Sequence, residues 1–489
     1  MDSHAYFRGI MANPSDYDKL TVFDNLRDLF FSTCSAFNDK VAISWNSGSK
    51  TYKELSDDVL ALSYYLKDKI SKGDNVGLVY NNEYDFVKSF FACACLGACC
   101  AIIPGVMPAE KIAGISKLFA LKLLVSNKDL EVGVNAVNVK SIDLKDTWSV
   151  DEIKNAVSLE RNDPACIVFT GGTTGFPKGA MLSHRNLCRG AVNGALVVGK
   201  VFGIKYLSLI PFSHIFGLIK NLLSSFLTGS HLYIVENPAL FAKEAAVFGP
   251  ETMVLTPGLC SLVLMLLKTY GRDFFGKEFN SIIAGGAHVP SKLIEAFKQF
   301  NIDCYPGYGL TEATNLISGN GSINVNTHSV GCVYPDQEAK IVNNELWVKG
   351  DNVFLGYFNN PVATQACLED GWLKTGDLAH FDEDGFLYID GRVNNLIVLQ
   401  SGLKIVPENI ESLIGNHPAV KDSVVYKEQD SDALYVEVLL YEIKDDYKKS
   451  VEDYIINKVN SELDVNARIS RIVFRTEDFK RTPAMKIIR

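Results

Sequence analysis

Hydrophobic positions in the first third of the chain follow two periods, one typical of helices and one typical of buried strands. Short apolar runs at Asn75–Tyr80, Cys100–Ile103 and Leu121–Val125 predict strands, and helix-period segments separate them. Thr51 and Glu54 have the spacing of a capping box, which predicts that a helix begins there. Strands that alternate with helices predict a mostly parallel sheet covered on both faces.

The middle of the chain repeats this pattern and predicts a second α/β subdomain. Tyr206–Ile210 and His231–Val235 are predicted strands, and the segment Leu218–Leu227 between them is a predicted helix. A further predicted strand, Ser281–Ala284, ends in two glycines, Gly285-Gly286. Because ligands favour the carboxyl ends of strands in such sheets, these glycines mark a candidate binding edge.

The pattern changes in the last third of the chain. From about Gly331 to Gly391, short strands and tight turns predict a small β unit. Beyond it, predicted strands at Asp422–Tyr426 and Leu434–Tyr441 and a predicted helix over Ser450–Asn460 indicate a compact α+β region.

These three patterns together predict an α/β fold class. A large N-terminal domain, residues 1–391, contains two α/β subdomains and a small β unit, and a small α+β C-terminal domain, residues 392–489, follows it. A chain of 489 residues is too long for one ordinary hydrophobic core, which agrees with this division.

Composition and charge narrow the function classes. The chain is 47% hydrophobic and 21% charged, which is typical of a soluble globular protein. Neither a signal-peptide pattern nor a run of 18 apolar residues is found, so no membrane span is predicted. A net charge of -9 argues against a general nucleic-acid binder. Only the segment from Val465 onward is basic, which predicts either a solvated tail or a region that binds phosphates.

The 11 cysteines do not resemble a metal or disulfide framework. They include no C-x-x-C pair, and no Cys/His spacing matches a zinc site. Buried thiols in a reducing cytoplasm explain them better than a redox cluster does, so a cytoplasmic location is predicted.

A glycine- and threonine-rich loop, Thr170–Gly179, follows the predicted buried strand Ala165–Phe169. Its glycines let backbone N–H groups point toward one centre, its hydroxyls add donors, and Lys178 adds positive charge. This chemistry suits the phosphates of a nucleoside triphosphate. The loop is not a P-loop, since no Gly-Lys-Ser/Thr precedes a helix, and by itself it is equally compatible with a surface hairpin turn.

Five further motifs follow this loop in order. They are Gly307–Glu312, Gly371–Asp377, Asp390–Arg392, Gly402–Glu411 and Thr482–Lys486. Their order and spacing resemble the adenylate-forming superfamily of acyl-CoA synthetases, adenylation domains and luciferases, in a style similar to fatty acyl-CoA ligases. The resemblance covers residues 24–489.

The resemblance implies a two-step reaction. A carboxylate attacks the α-phosphate of ATP to give an acyl-adenylate and pyrophosphate, and a thiol, usually that of coenzyme A, then takes the acyl group and releases AMP. ATP, Mg²⁺ and coenzyme A are the implied cofactors and co-substrates. The family's small C-terminal domain, here residues 392–489, is implied to be a mobile lid that rotates between the two steps.

The resemblance also implies roles for residues at the nucleotide. Glu312 would bind Mg²⁺, since a hard divalent ion prefers carboxylate and phosphate oxygens. Thr311 would hydrogen-bond a phosphate oxygen, Tyr308 would stack on adenine, and Asp377 would accept both ribose hydroxyls. The other implied nucleotide- and cofactor-binding residues are Thr170, Gly171, Gly172, Thr173, Thr174, Gly175, Lys178, Gly285, Gly286, Ala287, Gly307 and Arg392.

Four more positions are implied at the reacting groups. Lys486 would bridge the carboxylate and α-phosphate oxygens, and Gly402 and Lys404 would lie at the coenzyme A exit. His214 would lie beside the acyl pocket, although a lone histidine is more often structural. The candidate catalytic residues are therefore Lys486, Thr311, Glu312 and His214.

The predicted substrate is an apolar carboxylic acid, fatty or aromatic. Amino-acid-activating relatives use an aspartate to pair with the substrate ammonium, whereas Phe212-Ser213-His214 contains no carboxylate. The apolar segment Leu259–Leu267 is consistent with a pocket for hydrocarbon. Two alternatives stay open: transfer to the phosphopantetheine of a carrier protein in trans, and a catalytically weak relative that only binds nucleotide.

Overall fold

The computed structural model describes residues 1–170, 177–400, 402–428, 431–481 and 487. Its internal contacts divide the chain into two compact units. The first consists of Met1–Val289, Leu293–Ala339 and Val348–Leu373, and the second of Pro290–Lys292, Lys340–Trp347 and Lys374–Arg489. The predicted domain boundary between residues 391 and 392 stays a prediction.

A seven-stranded sheet in the first unit contains the strands predicted near the N-terminus. Its spatial order is Gly356–Tyr357, Lys178–Ser183, Pro164–Thr170, Cys99–Pro104, Asn75–Tyr80, Leu123–Ser126 and Ala136–Asn138. From Pro164–Thr170 onward the strands pair in parallel, and Lys178–Ser183 pairs antiparallel with both its neighbours. The predicted parallel arrangement is confirmed.

A nine-stranded sheet in the same unit contains the strands predicted in the middle of the chain. Its order is Cys332–Val333, Ser318–Gly319, Asp303–Tyr308, Ser281–Ala284, Thr252–Leu255, Lys205–Ser208, His231–Ile234, Val41–Trp45 and Gly48–Thr51. Its central strands are parallel, and antiparallel pairs close both edges. The carboxyl ends of Ser281–Ala284 and Asp303–Tyr308 therefore meet at one edge.

Helices separate these strands along the chain. They are Ser3–Ile10, Leu26–Ala36, Tyr52–Leu66, Tyr84–Cys95, Ala109–Leu118, Val150–Ala156, His184–Ala195, Phe241–Phe248, Pro257–Tyr270, Ser291–Lys298 and Pro361–Cys367. The predicted capping box is confirmed, because Thr51 and Glu54 exchange both hydrogen bonds. The helix predicted over 218–227 is a π-helical segment, Gly217–Leu223, continued by the α-helical turn Ser224–Leu227.

The core of the first unit buries most of the thiols. Of the 11 cysteines, ten are buried and Cys367 is half-buried. The apolar stretch from Phe90 onward forms the end of a helix and the strand Cys99–Pro104, as predicted. Burial raises the pKa of the Cys99 thiol to about 12, so the thiol stays protonated and behaves as a small hydrophobic group.

The last third of the chain has the short strands and the α+β region that its pattern predicts. The short strands are Gln337–Val342, Glu345–Gly350, Leu368–Glu369, Trp372–Phe381, Leu387–Arg392, Ile397–Val398 and Lys404–Ile405. Farther along the second unit, Leu434–Leu440 lies between Val420–Lys427, its antiparallel partner, and Ile469–Phe474, its parallel partner. Helices Pro407–Gly415 and Asp445–Tyr454 contribute Ile410, Ile414 and Val451 to the core of this sheet.

Candidate active site

Two glycine-bearing strand ends form one wall of a cavity in the first unit. Ala284 lies opposite Pro306 in the parallel register, so Gly285-Gly286 and Gly307 follow side by side. A Cβ atom placed on Gly285 would lie 3.2 Å from the Phe216 ring, closer than most real Cβ contacts. The absence of a Cβ atom at Gly285 therefore lets the aromatic ring approach the strand end closely.

The cavity has a volume of about 60 Å³ and a mostly apolar lining. Four of the residues predicted to bind the nucleotide line this cavity together: Gly285, Gly286, Gly307 and Tyr308. Sequence reasoning missed the N-terminal helix Ser3–Ile10, which contributes Phe7 and Ile10 to the lining. Ala287, by contrast, is exposed just beyond the strand end and is not part of the lining.

His214 lies at the turn that leads into the π-helical segment. Its backbone N–H donates to Pro211 at 2.9 Å, and its Nδ1 accepts from the Phe216 backbone N–H at 3.3 Å. Buried Asn82 holds the preceding backbone, donating to Ile210 O at 2.9 Å and accepting from Phe212 N at 2.8 Å. His214 is thus built into the turn that positions Phe216. Asn82 gave no signal in the sequence, because its partners are about 130 residues away.

Glu312 lies in a polar cluster of the first unit and is not part of the cavity lining. It belongs to the 3₁₀ turn Thr311–Ala313, and its carboxylate accepts a hydrogen bond of 2.6 Å from the hydroxyl of Tyr357. Burial, and then the adjacent carboxylate, raise the pKa of Tyr357 well above its ordinary value, so the phenol stays protonated as a donor. Tyr357 therefore orients the Glu312 carboxylate.

Lys178 completes this cluster. Its ammonium lies 5.1 Å from the centre of the Tyr357 ring, and its carbonyl accepts from the Thr170 hydroxyl at 3.4 Å. The strand register explains the approach, because Tyr357 pairs with Ala180, two residues after Lys178. The sequence analysis proposed Lys178 and Glu312 but missed Tyr357, whose aromatic character alone does not distinguish it from core residues.

The donor set at Glu312 suits magnesium held mainly by a nucleotide. Within the described ranges, no group of three or more His, Cys, Asp or Glu side chains is close enough to hold a metal ion. Mg²⁺ in nucleotide enzymes is bound by one or two carboxylates, phosphate oxygens and water. One oriented carboxylate at Glu312 fits that pattern.

In the second unit, Asp377 and Arg392 form a pair. They lie opposite each other on antiparallel strands, and Arg392 Nε is 2.9 Å from Asp377 Oδ1. Asp377 is 2% exposed, and its backbone N–H donates to the Thr375 hydroxyl at 3.1 Å. The structure thus brings Asp377, predicted at the ribose, together with Arg392, predicted to bind the nucleotide.

The remaining predicted residues of the second unit lie in a turn. Gly402 has a φ of 82°, and its N–H donates to Leu399 O at 2.9 Å. This left-handed position closes the hairpin that places Lys404 opposite Val398, with the Lys404 side chain exposed. Gly402 has the backbone conformation that a glycine turn requires.

Three arginines near the C-terminus are paired with carboxylates. Arg471 lies 2.8 Å from Glu428, Arg475 lies 2.5 Å from Glu437, and Arg481 lies 2.6 Å from Asp422. These arginines therefore stabilise the second unit itself. Whether the tail also binds phosphates stays a prediction.

Several predicted residues lie outside the described residues. These are Gly171, Gly172, Thr173, Thr174, Gly175 and Lys486. Their roles stay predictions. Across the part of the chain that the structure describes, no helix is long and apolar enough to cross a membrane.

Comparisons with known proteins place these features in context. The family model described as "AMP-binding enzyme" matches residues 30–358. The chain is 27% identical to 4-coumarate–CoA ligase-like 6 of Arabidopsis thaliana, over 90% of this chain and 84% of that protein. It is 26% identical to a long-chain-fatty-acid–CoA ligase of Bacillus subtilis (strain 168), over 83% of each chain.

A solved structure agrees with the fold over nearly the whole chain. It is the o-succinylbenzoate CoA synthetase of Bacillus subtilis in complex with an acyl-adenylate intermediate. The TM-score is 0.78 at 22% identity, with 94% of this chain and 96% of that chain covered. At this identity the likeness shows the fold, and the predicted fold class is confirmed.

Proposed function

We propose a reaction for this chain from one premise: it belongs to the AMP-binding enzyme family. Membership confirms the predicted resemblance to adenylate-forming enzymes. The chain is an AMP-forming acid–thiol ligase. It couples a carboxylic acid to ATP, releases pyrophosphate, and passes the acyl group from the adenylate to the thiol of coenzyme A with release of AMP.

The cluster of Glu312, Tyr357 and Lys178 is the observation on which this proposal rests. A carboxylate that attacks a triphosphate approaches a polyanion, so the reaction requires positive charge near the phosphates. Lys178 supplies a cation held by an aromatic face, and no ion pair among the described residues neutralises it. Glu312 would hold Mg²⁺, which when bound neutralises phosphate charge, and Tyr357 keeps the carboxylate in position.

Asp377 is the proposed ribose ligand. Its carboxylate is fixed by Arg392, and the ion pair uses Oδ1 at 2.9 Å. A carboxylate has lone pairs enough to accept two hydroxyl donors beside that contact. Thr311 is the proposed phosphate donor, and Lys486 the proposed cation at the α-phosphate in the first step. The loop residues 170–175 are the proposed ligands of the outer phosphates.

The cavity beside Gly285 and Gly286 supports an acid with an apolar body. Apolar and aromatic residues dominate its lining, and no Asp or Glu of the described residues is part of it. A substrate ammonium would therefore be buried without a counter-charge, at a cost of several kcal/mol. We favour a fatty or aromatic acid over an amino acid, with Phe216 at the cavity wall and His214 in the turn that positions it.

Coenzyme A is the proposed acceptor, with Gly402 and Lys404 near its path. The test measures pyrophosphate release with a panel of carboxylic acids and ATP–Mg²⁺, followed by thioester formation with coenzyme A. We expect both products with at least one apolar acid. Pyrophosphate release without a coenzyme A ester would instead favour a carrier protein. ATP binding without pyrophosphate release from any acid would favour a non-catalytic relative.

A further inference from the structure

Lys220 is a buried lysine on the wall of the cavity. It lies in the π-helical segment Gly217–Leu223, it is 3% exposed, and its ammonium donates to the backbone carbonyl of Gly194. An ammonium has three N–H donors. Among the described residues no carboxylate forms an ion pair with Lys220, so its charge is not balanced by the protein there.

Burial without a counter-charge is costly for a lysine. Removing an ammonium from water costs several kcal/mol unless hydrogen bonds and an opposite charge compensate. Desolvation is the one cause that lowers the pKa of Lys220, to about 7 from an ordinary 10.5. A lysine that served only to bind one carbonyl oxygen would be replaced at little cost by a neutral donor, so the position points to a further acceptor.

Asn315 provides a second donor on the same cavity. It is 8% exposed, and in the described structure its side-chain Nδ2 has no hydrogen-bond partner. Its backbone has a φ of 76°, and its backbone N–H donates a hydrogen bond to Leu310 O at 2.8 Å. Gly309 fits closely against it, since a Cβ there would collide with Asn315 O. The Asn315 backbone is therefore fixed, and its amide nitrogen has unused donor capacity among the described residues.

Two other polar side chains of the lining are already occupied. Tyr305 donates to Asp303 at 2.9 Å, and Asn320 donates to Asn326 O at 2.7 Å. Most of the remaining wall is apolar or aromatic, including Phe7, Ile10 and Phe216. A ligand that fits this lining has a hydrocarbon or aromatic body with one acceptor oxygen.

We propose that Lys220 and Asn315 form a subsite that binds a second oxygen function, a carboxylate or a ketone, on the body of the acid substrate. This inference rests on the proposed ligase function and refines its substrate class. The preferred acids are then oxo acids or dicarboxylic acids with an otherwise apolar body, rather than plain hydrocarbon acids. The ammonium and the amide supply the specificity, and the apolar wall supplies the affinity.

The test compares pairs of acids of equal length, one a plain hydrocarbon acid and one with a ketone or a second carboxylate. Pyrophosphate release gives kcat/KM for wild type, Lys220→Met and Asn315→Gly. We expect wild type to favour the oxygenated acid by at least about tenfold, since one charge-assisted hydrogen bond is worth 1.5–3 kcal/mol. Lys220→Met should abolish that preference, because it lowers kcat/KM for the oxygenated acid about tenfold more than for the hydrocarbon acid.

Lys205→Met is the matched control. Lys205 also donates to a backbone carbonyl, that of Phe248 at 2.6 Å, but it is not part of the cavity lining. Its loss should leave the preference unchanged. Asn315→Gly keeps the left-handed backbone and removes only the amide, so it tests the subsite even where Lys220→Met does not fold. A wild-type preference for hydrocarbon acids, or an equal loss for both acids in the folded variants, would overturn the subsite.

A binding measurement separates this inference from the ligase function. The oxygenated acid should raise the melting temperature of wild type more than the hydrocarbon acid does, and Lys220→Met should lose that difference. If pyrophosphate release fails with every acid while this selective shift remains, the ligase proposal fails and the subsite stands. If wild type releases pyrophosphate equally with both acids and shows no selective shift in melting temperature, the subsite fails and the ligase proposal stands.

Discussion

The polar groups around the cavity of the first unit and those on the sheet of the second unit use their hydrogen-bonding capacity differently. In the first unit, Lys220 donates to one backbone carbonyl, and the Asn315 amide nitrogen has no partner among the described residues. In the second, Arg475 and Arg481 are paired with carboxylates. The unused donors of the cavity indicate where a ligand binds, whereas the pairs of Arg475 and Arg481 stabilise the second unit.

Replacement of Lys486 has the largest expected effect. It tests the contrast between the two units, because we expect this lysine of the second unit to act in the reaction. Lys486→Ala should reduce acyl-adenylate formation by about 10²–10³-fold, the loss typical of removing a charge that stabilises a transition state. Thioester formation from supplied acyl-adenylate should persist. Both half-reactions are measured separately, with Lys480→Ala as control, and equal loss of both would contradict the assigned role.

Glu312 and its partner test the cluster in the first unit. Glu312→Gln should lower pyrophosphate release by about 100-fold, because the amide is a poor magnesium ligand. Tyr357→Phe removes one hydrogen bond and should cost about tenfold. Exposed Glu338→Gln is the control. If Tyr357→Phe were as harmful as Glu312→Gln, the phenol would do more than orient the carboxylate.

Replacement of Lys220 gives the next largest effect, which is on the pH dependence of the free energy of unfolding. Its pKa is about 7 in the folded chain, against an ordinary value of 10.5. Between these values the unfolded chain binds one more proton than the folded chain, so this residue makes the free energy of unfolding rise with pH. Lys220→Met should remove about 1 kcal/mol per pH unit of that rise.

Urea unfolding at pH 7.5 and at pH 9.5 measures this difference. The same slope in wild type and in Lys220→Met would show that the buried lysine keeps its ordinary pKa. Lys205→Met again serves as control, since its ammonium also donates to a backbone carbonyl outside the cavity. Its slope should match that of wild type.

The paired arginines give the smallest expected effect. Arg475→Leu leaves Glu437 without its partner and should destabilise the strand Leu434–Leu440 by about 1–2 kcal/mol. Hydrogen exchange of that strand measures the loss. Arg471→Leu breaks a more exposed pair and should cost less than about 1 kcal/mol. Pyrophosphate release should be unchanged in both, and a kinetic defect would mean that these charges also bind ligand.

Local chemistry made part of the site predictable. The glycines at 285, 286 and 307 follow apolar strands, and the parallel register places them together. Asp377 and Arg392 were predicted as separate contacts to the nucleotide, and their pairing depends on the turn that brings their strands into antiparallel register. The helix predicted over 218–227 is largely π-helical, a geometry that hydrophobic periodicity does not distinguish from an α-helix.

Other features were not predictable from the pattern of residues. Tyr357 reaches Glu312 from 45 positions away, and Phe7 reaches the cavity from the N-terminal helix. Neither residue type at its position differs from an ordinary core aromatic. The sequence did not distinguish Lys220, because a single lysine in an apolar segment is compatible with an exposed helix face.

The sequence by itself determined the order of strands and helices, the glycine-bearing motifs and the family, because backbone preferences and motif spacing are properties of neighbouring residues. Only the tertiary structure decided which carboxylate has a phenol beside it, which arginines are paired, and that Lys220 and Asn315 line one cavity. Burial and unused hydrogen-bonding capacity depend on segments that are distant along the chain, and a side chain acquires them only when those segments pack around it.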